Sequence, residues 1–310
     1  MAICLFCNSP IEFIDNLYEN RIYIKREDKL PFSFGGNKVR FAESFIEDMR
    51  KQGKNAIIAY GSKSSNLCRV MAQICFDNKI PCAVVFSEAE EHTTNNSKIV
   101  SALGVREYCC QKTQVAQTVQ KAMDDFIHEG LNPYYIYGDT SGSGNELTPV
   151  SSYTPVYDEI CGYENSENTK FDYIFLATGT AATYSGLLCG AVKNGDNRNI
   201  VGISIARPAE RCTEIVKENL KLYFGCTQKA EPVVTDEYLW GGYSLTTPEE
   251  LQEINYIFDK YQIPLDPTYT GKAFYGMKEY LKKHNIQDKN ILFIHTGGYP
   301  LFCDYKNIHL

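Results

Sequence analysis

From Lys38 onward the apolar positions alternate between two rhythms. Phe41, Phe45 and Met49, with Ala42 and Ile46 beside them, recur at helical spacing and predict an amphipathic helix that opens at Lys38. AIIAY, residues 56–60, then reads as a buried strand running into GSKSSN, and Leu67, Val70, Met71 and Ile74 share one face of a second helix. CAVVF, SKIVSALG, the EYCC region, QVAQTVQKAMDDFIHEG and YYIYG continue as strand, helix, strand, helix and strand. The small, polar run DTSGSGNELTP, from Asp139 to Pro149, predicts a loop at or near a domain crossing. A second block follows: strand YIFLA (173–177), loop TGTAAT, a helix from Ser185, strand IVGISIA and helix AERCTEIVKENLKLYF. It closes with helix PEELQEINYIFDKYQ, the segment DPTYTGKAFYGMKEYLKKH and strand ILFIHTGG. Successive βα units with short turns predict an α/β fold with mostly parallel sheets. Such sheets gather ligands at the carboxyl ends of their strands, which here are GSKSSN, TGTAAT and HTGG.

Bulk properties narrow the function. A chain of 310 residues, 44% hydrophobic, can bury a substantial core and predicts two domains. A net charge of −7, a pI near 5.4 and no Lys/Arg-rich block argue against nucleic acid or an acidic membrane as partner, leaving a small molecule. The opening MAICLFCNSPIEF lacks a basic and then long apolar region, and no run approaches the roughly 20 apolar residues of a membrane span. The expectation is a soluble, cytoplasmic protein. Most of the twelve cysteines are expected to be reduced core residues. Cys4 and Cys7 form a CxxC that is either structural or redox-active or half a zinc site, but no second pair completes it. The five histidines show no HxxxH or HExxH spacing, so no metal is expected.

Three strand ends and one lysine carry the candidate chemistry. Lys38 sits behind two glycines at a helix start, where the macrodipole and partial burial would lower its pKa and favour the free amine; a solvated charge is the alternative. TGTAAT, Thr178 to Thr183, offers N–H groups, hydroxyls and a helix N-terminus, the parts of a phosphate cradle, or else a small-residue turn. GSKSSN offers amides for a carboxylate, with Ser65 and Asn66 as ligand donors or as helix caps. HTGG ends a strand with a hydroxyl and flexible backbone, which a tight turn would also explain. A reactive amine, a phosphate cradle, a carboxylate nest and a hydroxyl at a strand end are together what a pyridoxal-phosphate enzyme acting on amino acids needs.

The stretches IKREDKLPFSFGGNKVR, GSKSSNLCR, ATGTAATYSGLL, DEYLWGGYSLTTPE, DPTYTGKAFYGM and LFIHTGGYP recur from Lys25 to Pro300. In them the chain resembles the fold type II pyridoxal-phosphate enzymes, most closely the branch with 1-aminocyclopropane-1-carboxylate deaminase and D-cysteine desulfhydrase. The resemblance implies a homodimer. It implies two domains, each a mostly parallel twisted sheet flanked by helices. Residues 1–52 and 155–310 would form the large, cofactor-binding domain and 53–154 a small domain carrying GSKSSN. Lys38 would form the Schiff base with pyridoxal 5'-phosphate and Asn66 face its ring hydroxyl. Gly179, Thr180, Ala181, Ala182 and Thr183 would hold the phosphate, and Thr296 would face the pyridine nitrogen. Ser65 would meet the substrate carboxylate or move a proton, and Tyr269 would line the substrate side. Tyr243 would stand near it or be a packed aromatic.

Three departures stand out. Glycines are usual where this chain has Ala181 and Ala182, and methyl groups there predict a cradle of residues with negative φ. Leu67 stands where a polar residue is common, which predicts one apolar wall of the substrate site. GSGNELTPVSSYTPVYDEI matches the family pattern poorly. The expected reaction is elimination with deamination of a small amino acid, giving a 2-oxo acid and ammonia. The alternatives are a β-replacement synthase of the cysteine synthase type and a non-catalytic pyridoxal-phosphate-binding protein.

Overall fold

The structure, a computed structural model, describes residues 8–87, 93–308 and 310. Cys4 and Cys7 lie outside the described residues. Among the described residues, ten strands form two sheets. The strands are β1 (Ile11–Leu17), β2 (Asn20–Arg26), β3 (Ala56–Gly61), β4 (Cys82–Phe86), β5 (Arg106–Cys109), β6 (Pro133–Tyr135), β7 (Tyr173–Thr178), β8 (Asn199–Ser204), β9 (Val233–Thr235) and β10 (Asn290–His295). The larger sheet has the order β1-β2-β10-β7-β8-β9 and the smaller β5-β4-β3-β6. Every pairing is parallel except β1 with β2.

Among the described residues eleven α-helices cover the sheets: α1 (Lys38–Lys51), α2 (Asn66–Asp77), α3 (Asn95–Ala102), α4 (Val115–His128), α5 (Leu147–Tyr153), α6 (Val156–Ser166), α7 (Ala182–Lys193), α8 (Ala209–Phe224), α9 (Pro248–Tyr261), α10 (Thr270–Lys283) and α11 (Tyr299–Tyr305). Strand alternation divides the core between faces. Ile174 and Leu176 of β7 and Leu292 and Ile294 of β10 point into one cluster with Ile57, Ala59 and Val84 of the small sheet and Phe41 and Phe45 of α1. This shared core joins the two sheets. Phe175 and Phe293, one residue out of phase, face a second cluster under α9 and α10 with Ile254 and Met277. Ile58 and Val85 face a third with Phe126 of α4. The predicted α1 stripe of Phe41, Ala42, Phe45, Ile46 and Met49 is buried throughout.

Some elements differ from the sequence reading. The hairpin β1–β2 was not anticipated; it turns through Tyr18 and Glu19, both at positive φ (49° and 63°). The loop expected to run to Pro149 gives way to α5 at Leu147, and the poorly matching stretch beyond it is α5 and α6. The helix expected from Ser185 starts three residues earlier, at Ala182.

A buried ion network holds α1 in place. Arg40 Nε lies 2.7 Å from Glu27 Oε2 and its Nη1 2.7 Å from Glu159 Oε1, while fully buried Lys25 Nζ lies 2.6 Å from Glu159 Oε2. The network ties β2, α1 and α6 together two residues from Lys38. No helix among the described residues is long and apolar enough to cross a membrane.

Candidate active site

A cavity of about 220 Å3 opens where the carboxyl ends of β3, β7, β8 and β10 converge, and each of the twelve predicted site residues lines it. At its floor Lys38 is the first residue of α1. The chain reaches it through Gly35 and Gly36 at φ 67° and 100°. A Cβ on Gly36 would stand 2.9 Å from the Thr296 carbonyl oxygen, and one on Gly297 only 2.6 Å from Gly36 Cα, so these two loops touch through bare backbone. Asn37 N–H donates to the Thr296 carbonyl at 3.0 Å, completing the junction. Lys38 Nζ sits 4.5 Å from the Phe41 ring centroid, and burial lowers its pKa to about 8.

The 178–183 loop joins β7 to α7, whose first turn carries no acid. Ala181 adopts φ 69°, contrary to the negative φ expected of an alanine cradle. Left-handed backbone costs an alanine about 1–2 kcal/mol; the turn from strand to helix is made at that residue, and its methyl group is buried. Thr183 Oγ1 accepts from Asn37 Nδ2 at 2.7 Å, leaving its own proton to donate. The Thr178 hydroxyl is buried with no hydrogen-bond partner. Thr180 is exposed at the cavity rim.

Ser65 caps α2, its Oγ accepting from Cys68 N–H at 3.2 Å. The N–H groups of Asn66 and Leu67, in the first turn, have no intrahelical acceptor and remain as donors. Asn66 Oδ1 accepts from Asn96 Nδ2 at 3.0 Å, so its Nδ2 is the group left to donate. Leu67 supplies the expected apolar wall. Across the cavity the hydroxyls of Tyr243 and Tyr269 lie 2.6 Å apart, their rings edge to face. Burial first, and then Tyr243, raises the Tyr269 pKa well above the ordinary phenol value. Tyr269 is therefore a protonated donor at neutral pH.

Thr296 follows β10 beside His295, which is fully buried between Pro264 O at Nε2 (3.1 Å) and Gly297 N–H at Nδ1 (3.2 Å). Asp266 is the cavity's one carboxylate among the described residues. Burial raises its pKa, opposed by four donors from its own turn: N–H of Thr268, Tyr269 and Thr270 and the Thr270 hydroxyl. Sequence reasoning missed Asn37, Tyr137, Arg207 and Asp266 as cavity residues. Asn37 had a signal, since it stands between the glycines and Lys38, and Asp266 opens the quoted stretch DPTYTGKAFYGM; Tyr137 and Arg207 had none.

The family described as pyridoxal-phosphate-dependent enzymes matches the chain over residues 6–297. A Pyrococcus abyssi protein provisionally named 1-aminocyclopropane-1-carboxylate deaminase is 27% identical over 306 residues, spanning 96% of this chain and 91% of its own. A crystal structure described as an ACC deaminase homologue is 27% identical with a TM-score of 0.85, covering 98% of this chain and 93% of its own. A hydrogen sulfide-producing enzyme from Fusobacterium nucleatum has the same fold at 17% identity and a TM-score of 0.67, covering 95% and 96%.

Proposed function

The chain belongs to the pyridoxal-phosphate-dependent enzymes, with the fold type II architecture, and from that premise we propose that it eliminates and deaminates a small amino acid, releasing a 2-oxo acid and ammonia. The cavity suits the cofactor on its own terms. An amine with no acid partner, a helix start without an acid, a Thr183 hydroxyl with its proton to spare and an orphan Thr178 hydroxyl are the groups an aldehyde and a phosphate dianion require. Lys38 would hold the cofactor covalently, residues 179–183 its phosphate and Asn66 Nδ2 its ring hydroxyl.

Bound pyridoxal phosphate supplies the electron sink that weakens bonds at the substrate α-carbon. The rest of the work falls to the chain. Lys38, whose pKa burial lowers to about 8, would take the proton from the α-carbon once the substrate's own amine has displaced it from the cofactor. Ser65 and the N–H groups of Asn66 and Leu67 would bind the substrate carboxylate at the start of α2. Tyr269, kept protonated by burial, would donate to the departing group, with Tyr243 replenishing the proton through their 2.6 Å contact.

The observation that carries the choice of reaction is that, among the described residues, the wall offers no free acid. Asp266 is spent on its own turn, and Thr296 offers only a hydroxyl. Neither supplies the carboxylate that would hold a proton on the pyridine nitrogen by charge, so the sink is a weak one. Charge at the α-carbon is then best drained promptly into a departing β-group, which favours elimination over racemisation or transamination. A panel of D- and L-amino acids, with 2-oxo acid and ammonia assayed with and without added thiol, tests this. Rapid racemisation or transamination of alanine, with β-substituted substrates left intact, would refute it.

A further inference from the structure

Tyr243 lies on a loop of unusual backbone between β9 and α9. Trp240 (φ 48°), Gly241 (96°), Gly242 (153°) and Ser244 (63°) all have positive φ, two of them without being glycine. Inside the loop, Gly242 N–H donates to Leu239 O at 3.0 Å and Leu245 N–H to Gly242 O at 3.4 Å. Such a segment needs an external brace to hold one conformation.

The brace is α10. Lys272 is fully buried, and its Nζ donates to Leu239 O at 3.3 Å and Gly242 O at 3.2 Å while lying 5.2 Å from the Trp240 ring. Tyr275 packs edge-on against Trp240 at 5.6 Å. Glu250 of α9 is the acid whose charge acts on Lys272, and Asp266 acts in turn on Glu250. Both Glu250 carboxyl oxygens are buried without a hydrogen-bond partner, and burial pushes that group up to about 8, so it is largely neutral at pH 7. Burial lowers the Lys272 pKa, opposed by Glu250, and the two carbonyls are the acceptors its Nζ reaches. Tyr269 caps the same helix, three residues before Lys272, so the two project from one face.

We propose that Lys272 is a positioning residue: its ammonium clamps the Leu239 and Gly242 carbonyls and thereby sets the Tyr243 hydroxyl against Tyr269. One helix thus fixes both tyrosines, Tyr269 through its own first turn and Tyr243 through Lys272. The consequence for turnover rests on the elimination reading above.

The test is a double-mutant cycle on the holoenzyme with Lys272→Met and Tyr243→Phe. Lys272→Met should lower kcat by about 100-fold, the scale of a group misplaced by 1 Å, with KM changed far less. Acting through Tyr243, it should add little to Tyr243→Phe in the double variant. Fully multiplicative losses would overturn the proposal. Amide hydrogen exchange over residues 239–245 in the resting holoenzyme needs no substrate and so separates this inference from the reaction assignment. Faster exchange there in Lys272→Met, with α8 unaltered, supports the clamp even if the reaction is another; unchanged exchange overturns it. If Lys272→Met does not accumulate folded, Lys272→Gln, which keeps a donor without the charge, is read against the same outcomes.

Discussion

Replacing Thr183 by valine removes a hydroxyl with two separable tasks. In the cavity wall it accepts from Asn37 Nδ2 at 2.7 Å, in a buried position. Valine keeps the shape but strands that amide donor, which costs the protein about 1–3 kcal/mol whether or not cofactor is bound. The penalty therefore cancels in the binding equilibrium. What does not cancel is the hydroxyl's own proton, free to reach a phosphate oxygen; a hydrogen bond to a charged group contributes about 1.5–3 kcal/mol. At about 1.4 kcal/mol per decade, Thr183→Val should weaken pyridoxal phosphate by roughly 10- to 150-fold. Thr178 is the contrast. Its hydroxyl has no partner in the wall, so Thr178→Val should leave the cofactor-free protein as stable as before. The assay is titration of cofactor-free protein with pyridoxal phosphate, followed by visible absorption, beside thermal unfolding of the same samples. Phosphate-free pyridoxal is the control, and its affinity should be indifferent to Thr183→Val. Equal losses for both aldehydes, or no loss for either, would refute the cradle.

Further outcomes follow from the same geometry. Burial holds the Lys38 pKa near 8 against 10.5 in an unfolded chain, so the cofactor-free fold is penalised below pH 8 and gains stability as pH rises to 10.5. Lys38→Met should therefore raise Tm at pH 7, by a margin that narrows across that window; a constant margin would mean the amine is not desolvated. Arg40→Met leaves Glu27 buried without its closest cation and should cost about 3–5 kcal/mol in urea unfolding. A loss below about 1 kcal/mol, the scale of exposed pairs, would show the network to be solvated. Thr296→Asp should raise transamination relative to elimination, measured as pyridoxamine phosphate formed per 2-oxo acid released, and an unchanged ratio would remove Thr296 from the ring nitrogen.

Much of the site was legible because strand ends carry it. GSKSSN, TGTAAT and HTGG each follow a continuous apolar run, and parallel topology brings such ends together whatever lies between them. Lys38 was legible because two glycines precede it, and the structure shows why they must: Gly36 and Gly297 meet backbone to backbone. The φ of Ala181 was not legible. Steric preference argued for negative φ, and the demand of the β7–α7 turn overrode it. The hairpin β1–β2 was overlooked because its turn residues, Tyr18 and Glu19, are not the Asn and Gly that usually announce positive φ. Asp266, Lys272 and Glu250 were not singled out, since only tertiary packing reveals that all three are fully buried.

The central claim is that the Lys38 amine at the start of α1 is the group that holds the cofactor and works on the substrate. Borohydride reduction of the holoenzyme, followed by proteolysis and mass mapping, tests it most directly. The account predicts one pyridoxyl group per chain, on the peptide containing Lys38, and none in Lys38→Ala. A label on Lys63 or any other lysine, or undiminished labelling of Lys38→Ala, would contradict it.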